Sequence, residues 1–225
     1  MSAIHDLFLR LERAGPGDAA TLGRAVAGLR PGARVLDAGC GVGADTGALL
    51  ALGFEVTALE VSEVFGAEVA RRHPGARVVV GDMRAPPGGP YDLIWSAGAV
   101  YNVGVAAALA AWRGVLAPGG RVAFSDLCKR VEVLPPACAA YWASEGLVLR
   151  DAATLEAEVV AAGYRVTGAE WVSDQGWADY YEPLEVALSD CPDADLVAAF
   201  RAEIANWRAQ GATFGYRMIV CAPEK

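Results

Sequence analysis

Short apolar runs alternate with longer amphipathic stretches through the first half of the chain. Runs of strand length fall at residues 33–37, 55–59, 76–80, 91–96 and 120–126, and stretches of helical periodicity lie between them at about 43–52, 62–72 and 103–116. The segment between the third and fourth runs is rich in Pro and Gly and reads as loop. This rhythm predicts an α/β fold in which a parallel sheet carries helices on both faces. An entry helix is expected over 19–30, where Leu22, Val26 and Leu29 share a face behind the cap candidate Asp18. Past the fifth run the rhythm changes. Pro135-Pro136 breaks a connection that leads to a predicted helix at 151–162, capped by Asp151, and then to a strand at 164–172. A helix at 194–209 with Leu196, Phe200, Ile204 and Trp207 on one face precedes a last strand at 213–222, so 173–212 reads as an insertion before that strand. The last strand alternates Phe214, Tyr216, Met218 and Val220 with Thr213, Gly215 and Arg217. One domain is expected over 1–225: an arm and entry helix at 1–30, a core at 31–127 and a C-terminal half at 128–225.

Composition narrows the partners. The chain has 225 residues, 54% of them hydrophobic, enough for a sizeable core. Its 27 acidic and 19 basic residues give a net charge of −8, which repels phosphate backbones and anionic membranes; neither nucleic acid nor a membrane is expected as a partner. The longest apolar stretch, Val103 to Trp112, is about half the roughly 20 residues a transmembrane helix needs. The N-terminus carries His5, Asp6, Arg10, Glu12 and Arg13 in place of a secretory pattern, and a cytoplasmic protein is expected. Five cysteines without paired spacing suit neither a disulfide framework nor a zinc site.

The run Val35-Leu36-Asp37-Ala38-Gly39-Cys40-Gly41-Val42-Gly43-Ala44 carries an apolar strand into a glycine turn and then a helix. Glycines turn the backbone tightly and admit a ligand without Cβ obstruction. Gly39-x-Gly41-x-x-Ala44 also satisfies the dinucleotide fingerprint, and Glu60, 21 residues past Gly39, is placed to bind a ribose. Asp37 discriminates between ligands. Its carboxylate would lie near a pyrophosphate on this loop, and like charges at ~4 Å cost about 4 kcal/mol at an effective dielectric near 20. The same carboxylate attracts a cation. S-adenosylmethionine has an ammonium, a sulfonium, no phosphate, and a ribose whose hydroxyls can donate to Glu60. Asp82, in Gly81-Asp82-Met83-Arg84 after the third strand, suits the exocyclic amino group of an adenine. A nucleotide-dependent oxidoreductase on a similar fold, and a binding protein without turnover, stay open as alternatives.

At these residues the chain resembles the class I S-adenosylmethionine-dependent methyltransferases. The likeness runs over about 30–127, through the glycine run, Glu60, Gly81-Asp82-Met83, Tyr91-Asp92-Leu93-Ile94-Trp95 and Leu116-Ala117-Pro118-Gly119-Gly120-Arg121. It implies a Rossmann-like seven-stranded sheet whose last strand is antiparallel. It also implies that Asp37 with Gly39, Cys40, Gly41 and Gly43 holds the methionine end of the cofactor, that Glu60 with Val61 takes the ribose, and that Asp82 with Met83 takes the adenine. Trp95 and Ser96 would edge the transfer site, Ser96 on the cofactor side. Arg13-Ala14-Gly15-Pro16-Gly17 and Trp95 to Gly104 resemble, more narrowly, small bacterial methyltransferases of unassigned substrate, where a Glu is expected in place of Ala97.

Methyl transfer from a sulfonium needs alignment and exclusion of water more than a strong base. His5 and His73 are the only histidines, and neither is placed as a base. Tyr101, after the fourth strand, is the candidate catalytic residue, beside Asn102 as a substrate contact. Trp95, Trp177, Tyr180, Tyr181 and Tyr216 complete the candidate acceptor set, since aromatic faces stabilise methylated or cationic groups. The other reading of the late aromatics is a subdomain packed on itself or on a second copy, which keeps a homodimer open. No metal is expected, because Trp95-Ser96-Ala97 lacks an acid at the strand end. The arm is expected to cover the cofactor mouth as a helical lid, with Arg13 or Arg24 available to a carboxylate. The acceptor is expected to be a small molecule.

Overall fold

The computed structural model describes residues 2–224. Seven strands form one sheet in the order β3-β2-β1-β4-β5-β7-β6, with β1 Arg34–Ala38, β2 Glu55–Glu60, β3 Arg77–Val80, β4 Tyr91–Ser96, β5 Leu116–Lys129, β6 Tyr164–Trp171 and β7 Phe214–Pro223. β7 runs antiparallel to both its neighbours, and the pairs among β1 to β5 are parallel. The predicted rhythm therefore stands, including the reversed last strand. Parallel register puts the ends of the strands along one edge: Asp37 pairs with Ala58 on β2 and Trp95 on β4, and Glu60 with Val80 on β3. That edge is where open α/β sheets receive ligands.

Helices α2 Ala19–Val26, α3 Ala44–Ala51, α4 Glu63–Arg72, α5 Val105–Arg113 and α7 Ala152–Ala161 cover the sheet, joined by α1 Ala3–Phe8, α6 Pro136–Ser144, α8 Asp174–Leu188 and α9 Ala194–Gln210. Asp18, Ser62, Asp151, Ser173 and Asp193 cap α2, α4, α7, α8 and α9 by accepting a backbone N–H. Strand alternation divides the core. Ile94 packs with Leu109, Trp112 and Phe124 on one face, and Leu93 and Trp95 pack with Leu22 and Leu49 on the other. A third core joins α1, α6, α8 and α9 around Trp142, Trp177, Tyr181 and Phe214.

Three elements depart from expectation. Pro136 starts α6 instead of breaking the chain, since the first helical position needs no N–H donor. The aromatic stretch is the fifteen-residue helix α8, which tolerates Pro183. Packing of its Trp and Tyr side chains offsets a defect that local propensity would penalise. β7 does not alternate, because an interior strand with helices on both faces buries both sets of side chains.

Candidate active site

β1 delivers Asp37 to the strand end at 2% exposure, and the chain then turns through Gly39 and Gly41, both at positive φ. A Cβ on Gly39 would lie 2.6 Å from the Ala99 Cβ, and one on Gly41 3.2 Å from the Ala14 Cβ, so the loop admits no side chain at either place. Gly43, also at positive φ, caps α3 and packs against Val69 and His73 of the next helix. The carboxylate of Asp37 accepts the Thr46 hydroxyl at 2.6 Å. Burial, then the charges of Asp45 and Glu60, push its pKa up to about 8, against the opposing Thr46 bond. Glu60, 7% exposed, accepts Gly41 N and Ser62 N, each at 2.9 Å. No arginine or lysine among the described residues pairs with either acid.

Both acids line a cavity of about 440 Å³ whose wall also includes Cys40, Val61, Met83, Ala97 and Tyr101. This is the size of a small-ligand site. Two exposed residues, Tyr101 and Asn102, edge it beyond β4, and the Asn102 amide donates to Ala99 O at 3.0 Å. Asp82 lines the opposite end, where Arg84 occupies both of its oxygens: the backbone N of Arg84 at 2.7 Å on Oδ1, and the guanidinium Nη2 at 2.5 Å on Oδ2. The Arg84 side chain, helped by its backbone N–H, holds the Asp82 pKa down at about 2. The arm closes over the cavity. Arg13 donates to Gly15 O at 2.7 Å and Gly17 O at 2.6 Å, and meets Asp45 at 3.3 Å. Asp45 in turn accepts the Trp95 indole N–H at 2.9 Å, so one carboxylate joins arm, glycine loop and β4. Arg24 lies elsewhere, paired with Glu170.

Several expected residues lie behind the wall instead of on it. Ser96 is fully buried and donates to Ala38 O at 2.7 Å, and Trp95 faces the α2–α3 core. The strand is still inside the sheet at these two positions, and Ala97 and Gly98 reach the cavity in their place. Gly43 turns away toward α4. Trp177 and Tyr181 belong to the third core. Tyr180 lines a second cavity, of about 710 Å³, that shares Arg13 and Ala44 with the first. Tyr216 lies one layer behind the wall, its ring 3.4–3.5 Å from where a Cβ on Gly98 would be. Sequence reasoning missed Thr46, Asp45, Phe8 and Phe65. The first two sit in the first turn of the helix that follows the glycine loop, a spacing signal that was available; the two phenylalanines meet only in the folded chain, at 6.2 Å.

A methyltransferase-domain family profile matches residues 35–120. Demethylmenaquinone methyltransferase of Beutenbergia cavernae is 31% identical over 187 residues, which cover 82% of this chain and 69% of that protein. The chain belongs to the class I S-adenosylmethionine-dependent methyltransferases. A malonyl-[acyl-carrier protein] O-methyltransferase of Enterobacter lignolyticus is 39% identical over 98 residues, 42% of this chain and 39% of that one, a likeness limited to less than half of either protein. The fold matches that of a Geobacter sulfurreducens methyltransferase solved with S-adenosyl-L-homocysteine, at a TM-score of 0.80 and 21% identity over 99% of this chain and 98% of that one. Family membership makes S-adenosylmethionine the cofactor and closes the dinucleotide alternative. The cavity fits it on physical grounds as well: a cationic ligand suits two buried carboxylates that have no cationic partner.

Proposed function

We propose that this methyltransferase transfers its methyl group to a small-molecule acceptor, with Asp37 and the backbone of Gly39 to Gly41 holding the methionine end of the cofactor and Glu60 the ribose. The observation that carries the reading is the pair of buried carboxylates, neither with a cationic partner, on a cavity of about 440 Å³. When bound, the cofactor supplies a sulfonium methyl group open to in-line displacement by an acceptor lone pair. The protein's part is placement. Asp37 and Glu60 orient the cationic donor, and the arm pinned by Arg13 keeps water from the reacting centre. Tyr101 and Asn102 face the acceptor, with Tyr101 as the group positioned to hold or move a proton on it. Asp82 and Met83 take the adenine end, which requires Arg84 to leave at least one Asp82 oxygen. A confined cavity and a net charge of −8 favour a small acceptor over a nucleic acid or a membrane surface, and a cytoplasmic setting suits the five free thiols. No helix among the described residues is long and apolar enough to cross a membrane. The relatives' demethylmenaquinone and malonyl-carrier substrates mark the range of acceptors on related chains.

Tritiated-methyl transfer into the ultrafiltrate of a cell extract tests the proposal. Label should appear in a filterable product and depend on Asp37 and Tyr101. Label found only in retained protein or nucleic acid would sink it.

A further inference from the structure

The transfer cavity has room for the cofactor and little else. Its volume of about 440 Å³ is near the low end of the roughly 300–1,000 Å³ that house one drug-sized ligand, and S-adenosylmethionine is a ligand of that size. The body of an acceptor therefore needs further space. A second cavity, of about 710 Å³, adjoins the first, and the residues common to both are Arg13 and Ala44. Arg13 is tied to Asp45, and Ala44 opens α3 directly behind the glycine loop. Both flank the methionine end assigned above, which carries the methyl group, and not the adenine end assigned to Asp82.

The second cavity lies between the arm and α8. Leu11 and Tyr180, 4% and 5% exposed, are its buried lining, one from each wall. The two wall segments are tied to one another: Gly17 N donates to Gly176 O at 3.3 Å, and Ser173 N donates to Asp18 at 2.9 Å. A Cβ on Gly176 would stand 2.9 Å from Gly17 O, so this contact needs glycine. Tyr181 packs on Tyr180 at 4.9 Å and donates to Glu203 at 2.7 Å, which fixes the Tyr180 ring. The Tyr180 hydroxyl itself has no hydrogen-bond partner among the described residues. A phenol so deeply buried and unpartnered is a group that a ligand satisfies.

Charge narrows the class of ligand. Arg10, Glu12, Asp179 and Glu182 also line the cavity, but all four are exposed and of both signs, so water and salt screen them. The Arg13 guanidinium is taken up by Asp45 and two carbonyls. A charged group set against Leu11 and Tyr180 would lose hydration without gaining a counterion. An apolar body with one hydroxyl or carbonyl finds a partner for each of its parts.

We propose that the second cavity holds the body of the acceptor, an uncharged, largely apolar molecule whose hydroxyl or carbonyl meets the Tyr180 hydroxyl and whose reacting end passes Arg13 into the transfer cavity. This rests on the small-molecule reading above. It makes Tyr180 a contact for the part of the acceptor that does not react.

The probe is the ultrafiltrate of a cell extract, methylated from tritiated S-adenosylmethionine by the full-length protein. Glu182 and Val186 line the second cavity and not the first, and both are exposed, so Val186→Trp and Glu182→Trp fill it without disturbing a buried contact. Each should raise the quantity of ultrafiltrate needed for half-maximal labelling about tenfold, with S-adenosylhomocysteine affinity and melting temperature unchanged. Tyr180→Phe keeps the ring and should raise that quantity a few-fold at an unchanged maximal rate. Val160→Trp, on α7 and lining neither cavity, should change nothing. The labelled product should pass both anion- and cation-exchange resin at neutral pH. Undiminished labelling by either cavity-filling variant, no effect of Tyr180→Phe, or retention of the product on either resin overturns the proposal. A loss of labelling that comes with weaker S-adenosylhomocysteine binding or a lower melting temperature in both Trp variants does so too, by marking the cavity as structural. Label confined to retained macromolecules with the intact protein is a separate result and removes the small-molecule reading instead.

Discussion

The two ends of the cavity are built by different means. On the cofactor side, β1, β2 and β4 are paired in parallel register, and the groups they present are backbone amides and carboxylates fixed to strand ends. On the side beyond β4, the wall is made by Ala97 and Gly98 after the strand, by Tyr101 and Asn102 of a 3₁₀ turn at Val100–Asn102, and by the arm residues Phe8 and Arg13 to Pro16, elements brought together only by the folded chain. A rigid sheet edge suits a ligand that never changes. Side chains on helices packed over that edge can be exchanged without disturbing it, so acceptor choice can vary within a family that keeps one cofactor.

If that contrast holds, damage on the cofactor side should be severe and independent of acceptor. Gly39→Val meets both a positive φ and the 2.6 Å approach of Ala99, and S-adenosylhomocysteine affinity should fall about a hundredfold or more by calorimetry, with far-UV circular dichroism unchanged. An intact affinity would mean that the loop does not contact the cofactor.

Next comes the acidic pocket. Because the folded pKa of Asp37 is raised to about 8 above an ordinary value of 3.8, the free protein binds a proton that the unfolded chain has lost. Its stability should therefore fall as pH rises between those values. A cationic ligand prefers the ionised acid, so S-adenosylmethionine affinity should increase with pH until about 8 and binding should release a proton. Asp37→Asn should flatten both profiles and weaken the cofactor about tenfold at alkaline pH. A profile unchanged by the substitution would remove Asp37 from the site.

On the acceptor side, Tyr101→Phe should lower kcat about tenfold or more if the hydroxyl moves a proton, with cofactor affinity untouched. A rise in KM alone would restrict Tyr101 to binding. The arm gives a smaller effect: Arg13→Met loses its contacts to Gly15, Gly17 and Asp45, and cofactor release in stopped flow should speed up about fivefold. Smallest is Arg84→Ala. It removes the guanidinium, freeing Asp82 Oδ2 while the backbone N–H stays on Oδ1, and should tighten S-adenosylhomocysteine about twofold if the adenine competes for that oxygen. Weaker binding would make Asp82 a turn brace.

Much of the cofactor side could be read along the chain, because a strand, a glycine turn and a helix start are neighbours in sequence and Asp37, Glu60 and Asp82 each follow a strand. Ser96 and Trp95 were misplaced for a reason of the same kind: sequence shows that a strand ends, but not at which residue the backbone leaves the sheet. The helix α8 escaped because Pro183 and Gly176 mask its periodicity, and its aromatic contacts are made with distant segments.

The succession of strands, the helices between the first five of them, the glycine turn and the acids after the strands follow from the sequence alone, since each depends on residues within a few positions of one another. Only the tertiary structure decided that Arg13 locks the arm onto Asp45 and that the same Asp45 accepts the Trp95 indole N–H. Those pairings join groups up to dozens of residues apart, and which charge finds a partner depends on chain packing that no local pattern encodes.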